Sequence, residues 1–164
     1  MKTIIHDLNN DEISKFSFNN DDYVVNSNAC QNSCIGCFSC WIKHPKKCLY
    51  KDNFSNLTDK LKNSNELIII SKSRYGCYST SIKRVLERCL GYVLPYFAIK
   101  EGMIHHIPRY KKDLFLKTYF YGDITEQEKK DLYNLVKANS INLNAHKFSI
   151  NYFNNIEEMI NCIH

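Results

Sequence analysis

The sequence predicts a three-layer α/β domain built on a parallel sheet, and three observations predict it. "NELIIISKS" (65–73) holds an unbroken apolar run, the mark of a strand covered on both faces. Segments with helical periodicity alternate with segments rich in aromatic and β-branched residues, the order that right-handed crossovers turn into stacked layers. The 164 residues, 44% hydrophobic and 24% charged, suit one globular domain and not a disordered chain. A chain of this size buries roughly 70% of its unfolded surface, enough for a real core.

The elements follow in order. "KTIIHDL" (2–8) and "DYVVNSN" (22–28) read as short strands. Phe54, Leu57 and Leu61 mark a short helix ahead of the 65–73 strand. Ile82, Val85, Leu86, Cys89 and Leu90 follow an i, i+3, i+4, i+7, i+8 stripe, which predicts a second helix. "DLFLKTYFYG" (113–122) and "KFSINYF" (147–153) are strands by composition. Between them Leu132, Leu135 and Val136 mark a helix, and Thr125 with Glu128 forms its capping box. A last helix starting at Asn154 carries Ile156, Met159, Ile160 and Ile163. The whole, 1–164, reads as a single domain. Two segments exceed the pattern: a cysteine-rich insertion at 28–52, and a connection at 93–112 of a length more often functional than decorative.

No stretch approaches the ~18 consecutive apolar residues of a membrane span, so no membrane partner is expected. "MKTIIHDLNNDE" lacks the apolar core of a signal peptide, so a cytoplasmic location is expected. Structural disulfides are not expected in such a reducing compartment. The net charge of +5, from 22 Lys and Arg against 17 Asp and Glu, suits an anionic ligand. The basic residues form no stripe with interleaved aromatics, which argues against nucleic acid as a partner.

Cys34, Cys37, Cys40 and Cys48 are the strongest local signal. A C-x2-C-x2-C triplet turns three sulfurs onto one side of a tight loop, and a fourth cysteine can close the set. Zinc sites more often use two separate knuckles, whereas the triplet is commoner for iron–sulfur clusters. Thiol redox chemistry and no metal at all remain open readings. Cys30, Cys77, Cys89 and Cys162 look separate, and Cys89 reads as a small buried hydrophobe.

A second candidate follows the buried strand: the loop of Ser71, Lys72, Ser73, Arg74, Tyr75, Gly76, Cys77, Tyr78 and Ser79. In an open α/β sheet, ligands bind at that strand edge where strand order reverses. Gly76 allows close backbone approach, and Tyr75 or Tyr78 can stack on a planar ring. Neither G-x-G-x-x-G nor G-x-x-x-x-G-K-[ST] occurs, which removes the usual dinucleotide and P-loop fingerprints. His105 and His106, in the long connection, read as surface residues or substrate contacts.

These residues together resemble a known group. "CIGCFSCW-x6-C" followed by "IIIS-x3-YG-x-YS-x3-K-x4-R" is similar to the flavodoxin-like NAD(P)H-dependent FMN reductases and their iron–sulfur flavoprotein branch. Cys34, Cys37, Cys40, Cys48 and Asp52 match the first block. Ser71, Tyr75, Gly76, Tyr78, Ser79, Lys83 and Arg88 match the second, and His106, Pro108, Arg109 and Tyr110 resemble an "HxPRY" element of some relatives. The resemblance implies a three-layer flavodoxin-like fold with a five-stranded parallel sheet in the order 2-1-3-4-5. It implies FMN at the strand edge, an iron–sulfur cluster on the four cysteines, NAD(P)H or a protein electron partner, and a homo-oligomer.

Two departures stand out. Relatives follow the first strand with a "GSPR…NT/S" loop and a full helix that hold the FMN phosphate. Here residues 9–21 contain no glycine, so the first crossover helix is expected to be shortened or missing and FMN to bind weakly. The proline expected after Ser71 is Lys72. The leading expectation is therefore an FMN-dependent NAD(P)H oxidoreductase or electron-transfer flavoprotein. Its rival is a non-catalytic binding or regulatory module that kept the fold; a zinc-stabilised nucleic-acid binder is more distant.

Overall fold

In a computed structural model that describes residues 1–100 and 102–162, the chain alternates strands and helices as expected. The elements are β1 (Lys2–His6), α1 (Asn10–Ile13), β2 (Tyr23–Asn26), α2 (Leu57–Asn63), β3 (Glu66–Lys72) and α3 (Thr80–Glu87). They continue with β4 (Val93–Lys100), β5 (Met103–Pro108), β6 (Phe115–Tyr121), α4 (Glu126–Asn142), β7 (Lys147–Phe153) and α5 (Ile156–Cys162). Five strands pair in parallel in the order β2-β1-β3-β6-β7, which is 2-1-3-4-5 counted within that sheet. Ile4 lies opposite Ile68, Ile68 opposite Lys117, and Lys117 opposite Ser149.

Period-two alternation assigns the two faces. Ile5, Leu67, Ile69 and Leu116 point to one side, where Leu61, Ile82, Val85, Leu132 and Val136 of α2, α3 and α4 cover them. Ile4 and Ile70 point to the other, under Met159 of α5. That second layer is thin because α1 has only four residues. The stacked rings of Phe16 and Phe18, 6.2 Å apart, pack where a longer helix would lie.

Local chemistry explains most boundaries. Asn9 and Glu12 form a capping box at α1, and Thr125 with Glu128 forms the one expected at α4. The α3 stripe was expected to reach Leu90, but the helix stops at Glu87, and Leu90–Tyr92 is a tighter 3-10 turn. The last helix starts at Ile156 and not at Asn154, because Asn155 accepts the Glu158 amide at 2.9 Å as its cap. Ile163, assigned to that helix from sequence, lies outside the described residues.

The long connection is not a loop. Its 93–108 portion is an antiparallel hairpin, β4 with β5, separate from the main sheet. The pairs Phe97↔His106 and Ile99↔Ile104 share one face, and Ala98↔His105 and Lys100↔Met103 the other. The second face docks on the end of α4, where His105 Nδ1 meets Asn142 Oδ1 at 2.7 Å and Lys100 Nζ donates to Asn144. Toward its tip the first is open: Phe97, Ile99 and Ile104 are 62%, 77% and 73% exposed, while Trp41 packs on the His106 ring nearer its base.

Candidate functional site

The strand order reverses between β1 and β3, so the crevice at their C-terminal ends is where a doubly wound sheet takes ligands. Asp7, directly after β1, fills the mouth of that crevice. Its carboxylate accepts the Lys72 amide at 3.2 and 3.0 Å and the Tyr121 hydroxyl at 3.0 Å. Burial, then the charge of Asp7, pushes the Tyr121 hydroxyl far above its ordinary pKa, so it stays a proton donor to the carboxylate. Sequence reasoning missed Asp7. An acid directly after the first strand, at the edge where an α/β sheet takes ligands, was the signal that could have found it.

The predicted 71–79 loop sits at this edge but satisfies itself. Ser73 N donates to Tyr121 O, Arg74 N and Cys77 N exchange bonds with each other's carbonyls, and Ser79 N donates to Ser71 Oγ. The Gly76 amide serves the Glu128 carboxylate. The two tyrosines part company. Tyr78 is a core residue, its ring on Phe120 and its hydroxyl accepting from Asn139, so it offers no face to a ligand. Tyr75 is 95% exposed and held at φ 53°, next to Gly76 at φ 68°. Exposed Lys72 and Arg74 flank it.

The cysteine segment is pinned to the opposite end of α3. Cys34, Cys37, Cys40 and Cys48 line one narrow cleft beside Arg88 and Leu90. Burial, then the neighbouring Cys34, Cys48 and Cys37, pushes the Cys40 thiol up. Trp41 Nε1 is shared between the carbonyls of Leu90 and Val93, and Arg84 donates to Cys30 O and Ser33 Oγ. The Arg88 side chain is fully buried and forms a bidentate pair with Asp52, both bonds 2.7 Å, while Nη1 also reaches Cys30 Sγ at 3.5 Å. Burial works against its charge, but Asp52, Cys48 and Cys30 outweigh that and hold its pKa above the usual value. The four thiols of one segment thus line a cleft beside a buried cation, and thiols are soft donors. Their spacing is not that of a cage. Among the described residues no three His, Cys, Asp or Glu side chains stand at metal-holding geometry.

No protein-family model matches the chain, and no curated protein matches it by sequence. Solved structures do. The crystal structure of an FMN-dependent NADH-azoreductase from Bacillus anthracis, in complex with FMN, aligns with 93% of this chain and 87% of its own, at TM-score 0.56 and 13% identity. The apo form of an NADH:FMN oxidoreductase aligns with 99% of this chain and 79% of its own, at TM-score 0.53 and 10% identity. The fold is flavodoxin-like.

Within a flavodoxin-like frame the first loop is the unusual part. The four-residue α1 carries Asp11 and Glu12 in its first turn, and the Asn9 amide is taken by Glu12. Asn9, Asn10 and Lys15 are the polar groups nearest the end of β1 in sequence; Asn9 is committed to the cap, while Asn10 and Lys15 are exposed. The 71–79 loop has its own constraint. A Cβ on Gly76 would lie 2.8 Å from Asp131 Cβ, on a backbone at positive φ. Gly76→Ala is expected to cost about 2 kcal/mol, the penalty of a left-handed non-glycine residue plus crowding against α4. Urea denaturation checks this, and a loss under about 0.5 kcal/mol would show that the loop gives way.

Proposed function

We infer that the chain is a flavodoxin-like redox protein working with FMN and NAD(P)H, in which the cysteine segment holds an iron–sulfur cluster. The observation that carries this reading is Tyr75. A bulky residue at positive φ, almost wholly exposed, gains nothing from packing, and strain of that kind clusters at ligand sites. Its loop, with Lys72 at the end of β3 and Arg74 after it, lies at the sheet edge where such a fold takes ligands. Two solved proteins of similar fold, an FMN-dependent NADH-azoreductase and an NADH:FMN oxidoreductase, support the choice of flavin. FMN supplies the hydride and electron chemistry; this chain's residues bind and orient it. Tyr75 would stack on the flavin ring, and Arg74 and Lys72 would favour negative charge on it.

Cys34, Cys37, Cys40 and Cys48 are the proposed cluster ligands, with Arg88 offsetting their charge. Anaerobically purified protein is expected to contain iron and acid-labile sulfide, with a broad visible shoulder lost in Cys37→Ser and kept in Cys162→Ser. Stoichiometric zinc without sulfide would replace the cluster by a structural metal site. The outer hairpin face of Phe97, Ile99 and Ile104 suits a second copy of the chain, whose identical face would bury it. Light scattering is expected to give a dimer or larger assembly, and Ile99→Lys/Ile104→Glu a monomer; an unmodified chain that is monomeric at high concentration removes the oligomer.

A second reading has its own support. Asp7 bridging β1 to Lys72 closes the crevice with the protein's own acid, as expected of a binding or regulatory module that kept the fold and lost tight flavin binding. NADH oxidation in the presence of added FMN separates the two: turnover supports the enzyme, and none at saturating flavin supports the module.

A further inference from the structure

A cavity of about 300 Å³ lies far from the strand edge just described. Leu61, Leu86 and Asn142, which help to line it, lie toward the C-terminal ends of α2, α3 and α4. Helices of a doubly wound sheet run antiparallel to its strands, so these ends mark the N-terminal edge of the sheet, opposite Asp7 and Tyr75. Ile69 forms part of the floor, and the hairpin residues Val93 and His106 roof it.

The lining gives the chemistry of an occupant. Leucines, Ile69, Val93 and Tyr92 dominate, so the space is suited to an apolar body. An apolar cavity of about 150 Å³ takes one benzene ring, so this one has room for about two fused rings. Its polar lining residues are few: Glu87, His106, Asn139 and Asn142. His106 Nδ1 is buried with no hydrogen-bond partner among the described residues, and its ring is fixed between Phe97 and Trp41, centroids 4.4 and 5.1 Å away. The Asn142 amide oxygen is occupied by His105, which leaves its NH2 donors to serve a ligand. Glu87 stands exposed at the rim, and α3 and α4 both end here, so the local field opposes an anion. The Cys89 thiol, pushed up to about 12 by burial, is inert as a nucleophile.

We propose that this cavity is a binding site for a neutral, two-ring aromatic molecule carrying a hydroxyl or carbonyl group. The rings fill the leucine-lined space, and the oxygen pairs with His106 Nδ1 or the Asn142 amide. A hydroxyl satisfies His106 in either tautomer, because it both donates and accepts. The site does not depend on flavin, since no residue of the 71–79 loop lines it.

The test uses the full chain with 2-naphthol and, as the charged counterpart, 2-naphthoate, followed by amide chemical shifts. The expected result is one 2-naphthol per chain, at least tenfold tighter than 2-naphthoate, with shifts centred on Asn139, Asn142, Leu143 and His106. Leu143→Trp, which fills the space, is expected to weaken 2-naphthol at least tenfold while the far-ultraviolet circular dichroism is kept; Leu90→Phe does the same should the first variant fail to fold. Shifts centred on 72–79 or on Ile99 and Ile104 toward the hairpin tip overturn the proposal. So does equal binding of the two probes, or 2-naphthol binding unchanged in a folded, filled variant.

Discussion

Asp52→Asn is expected to lower the melting temperature by roughly 6–12 °C. Arg88 has a fully buried side chain whose partner is the Asp52 carboxylate, itself 28% exposed. Removing one member of a buried pair costs about 3–5 kcal/mol, because the other charge stays buried without compensation. The partial exposure of Asp52 places the cost at the lower end, about 3 kcal/mol, and ~1 kcal/mol shifts a domain of this size by about 2–4 °C. The same pair sets an acid limit. The hydrogen bond from Arg88, reinforced by the Phe54 amide, holds the Asp52 carboxyl below its ordinary value. A depressed folded pKa gives stability that is fully present above the unfolded value, about 3.9, and lost as pH falls through the folded one. Thermal melts between neutral pH and pH 3 should therefore fall less steeply for Asp52→Asn than for the unmodified chain. A melting temperature within about 2 °C of the unmodified chain would show that the Arg88 charge finds another partner.

That pair also shows where sequence reading stops. Asp52 and Arg88 were each legible as motif positions, yet their contact joins residues 36 apart, across α2, β3 and α3, a separation for which no spacing rule exists. β3 was legible because burial on both faces writes an unbroken apolar run, and α4 because its capping box is a local hydrogen-bond pattern. The hairpin was not. Its open face carries Phe97, Ile99 and Ile104, so the polar–apolar alternation that marks a half-buried strand is missing, and Pro95 argues against a strand. Tyr75 and Tyr78 look equivalent in sequence; only the left-handed turn at Tyr75 and Gly76 sends one ring outward and the other into the core. The shortened α1 was legible from the missing glycines, but the acid in the crevice needed the fold to place it.

FMN and riboflavin are expected to bind this chain with affinities within about threefold of each other, because the phosphate finds no cradle. A phosphate held at a helix N-terminus takes several backbone amides and the favourable end of the helix dipole. Here that position offers four helical residues, a first turn containing Asp11 and Glu12, and an Asn9 amide already donated to Glu12 at 2.8 Å. Asp7 adds a third carboxylate at the crevice, turned to the Lys72 amide. Charge-assisted hydrogen bonds are worth about 1.5–3 kcal/mol each, so lacking two or three removes about 3–9 kcal/mol. At ~1.4 kcal/mol per tenfold, the loss is at least about a hundredfold against a site with a complete loop. Isothermal titration of both flavins measures it directly. The double variant Asp11→Asn/Glu12→Gln sharpens the result, since glutamine can still close the capping box while two negative charges are gone. It should tighten FMN by roughly threefold to tenfold and leave riboflavin unchanged, in line with the few kcal/mol or less that partly exposed charges exert at this range. Protein that purifies with stoichiometric FMN and prefers it to riboflavin a hundredfold would mean that other groups, such as Lys15 or a second subunit, have rebuilt the phosphate site.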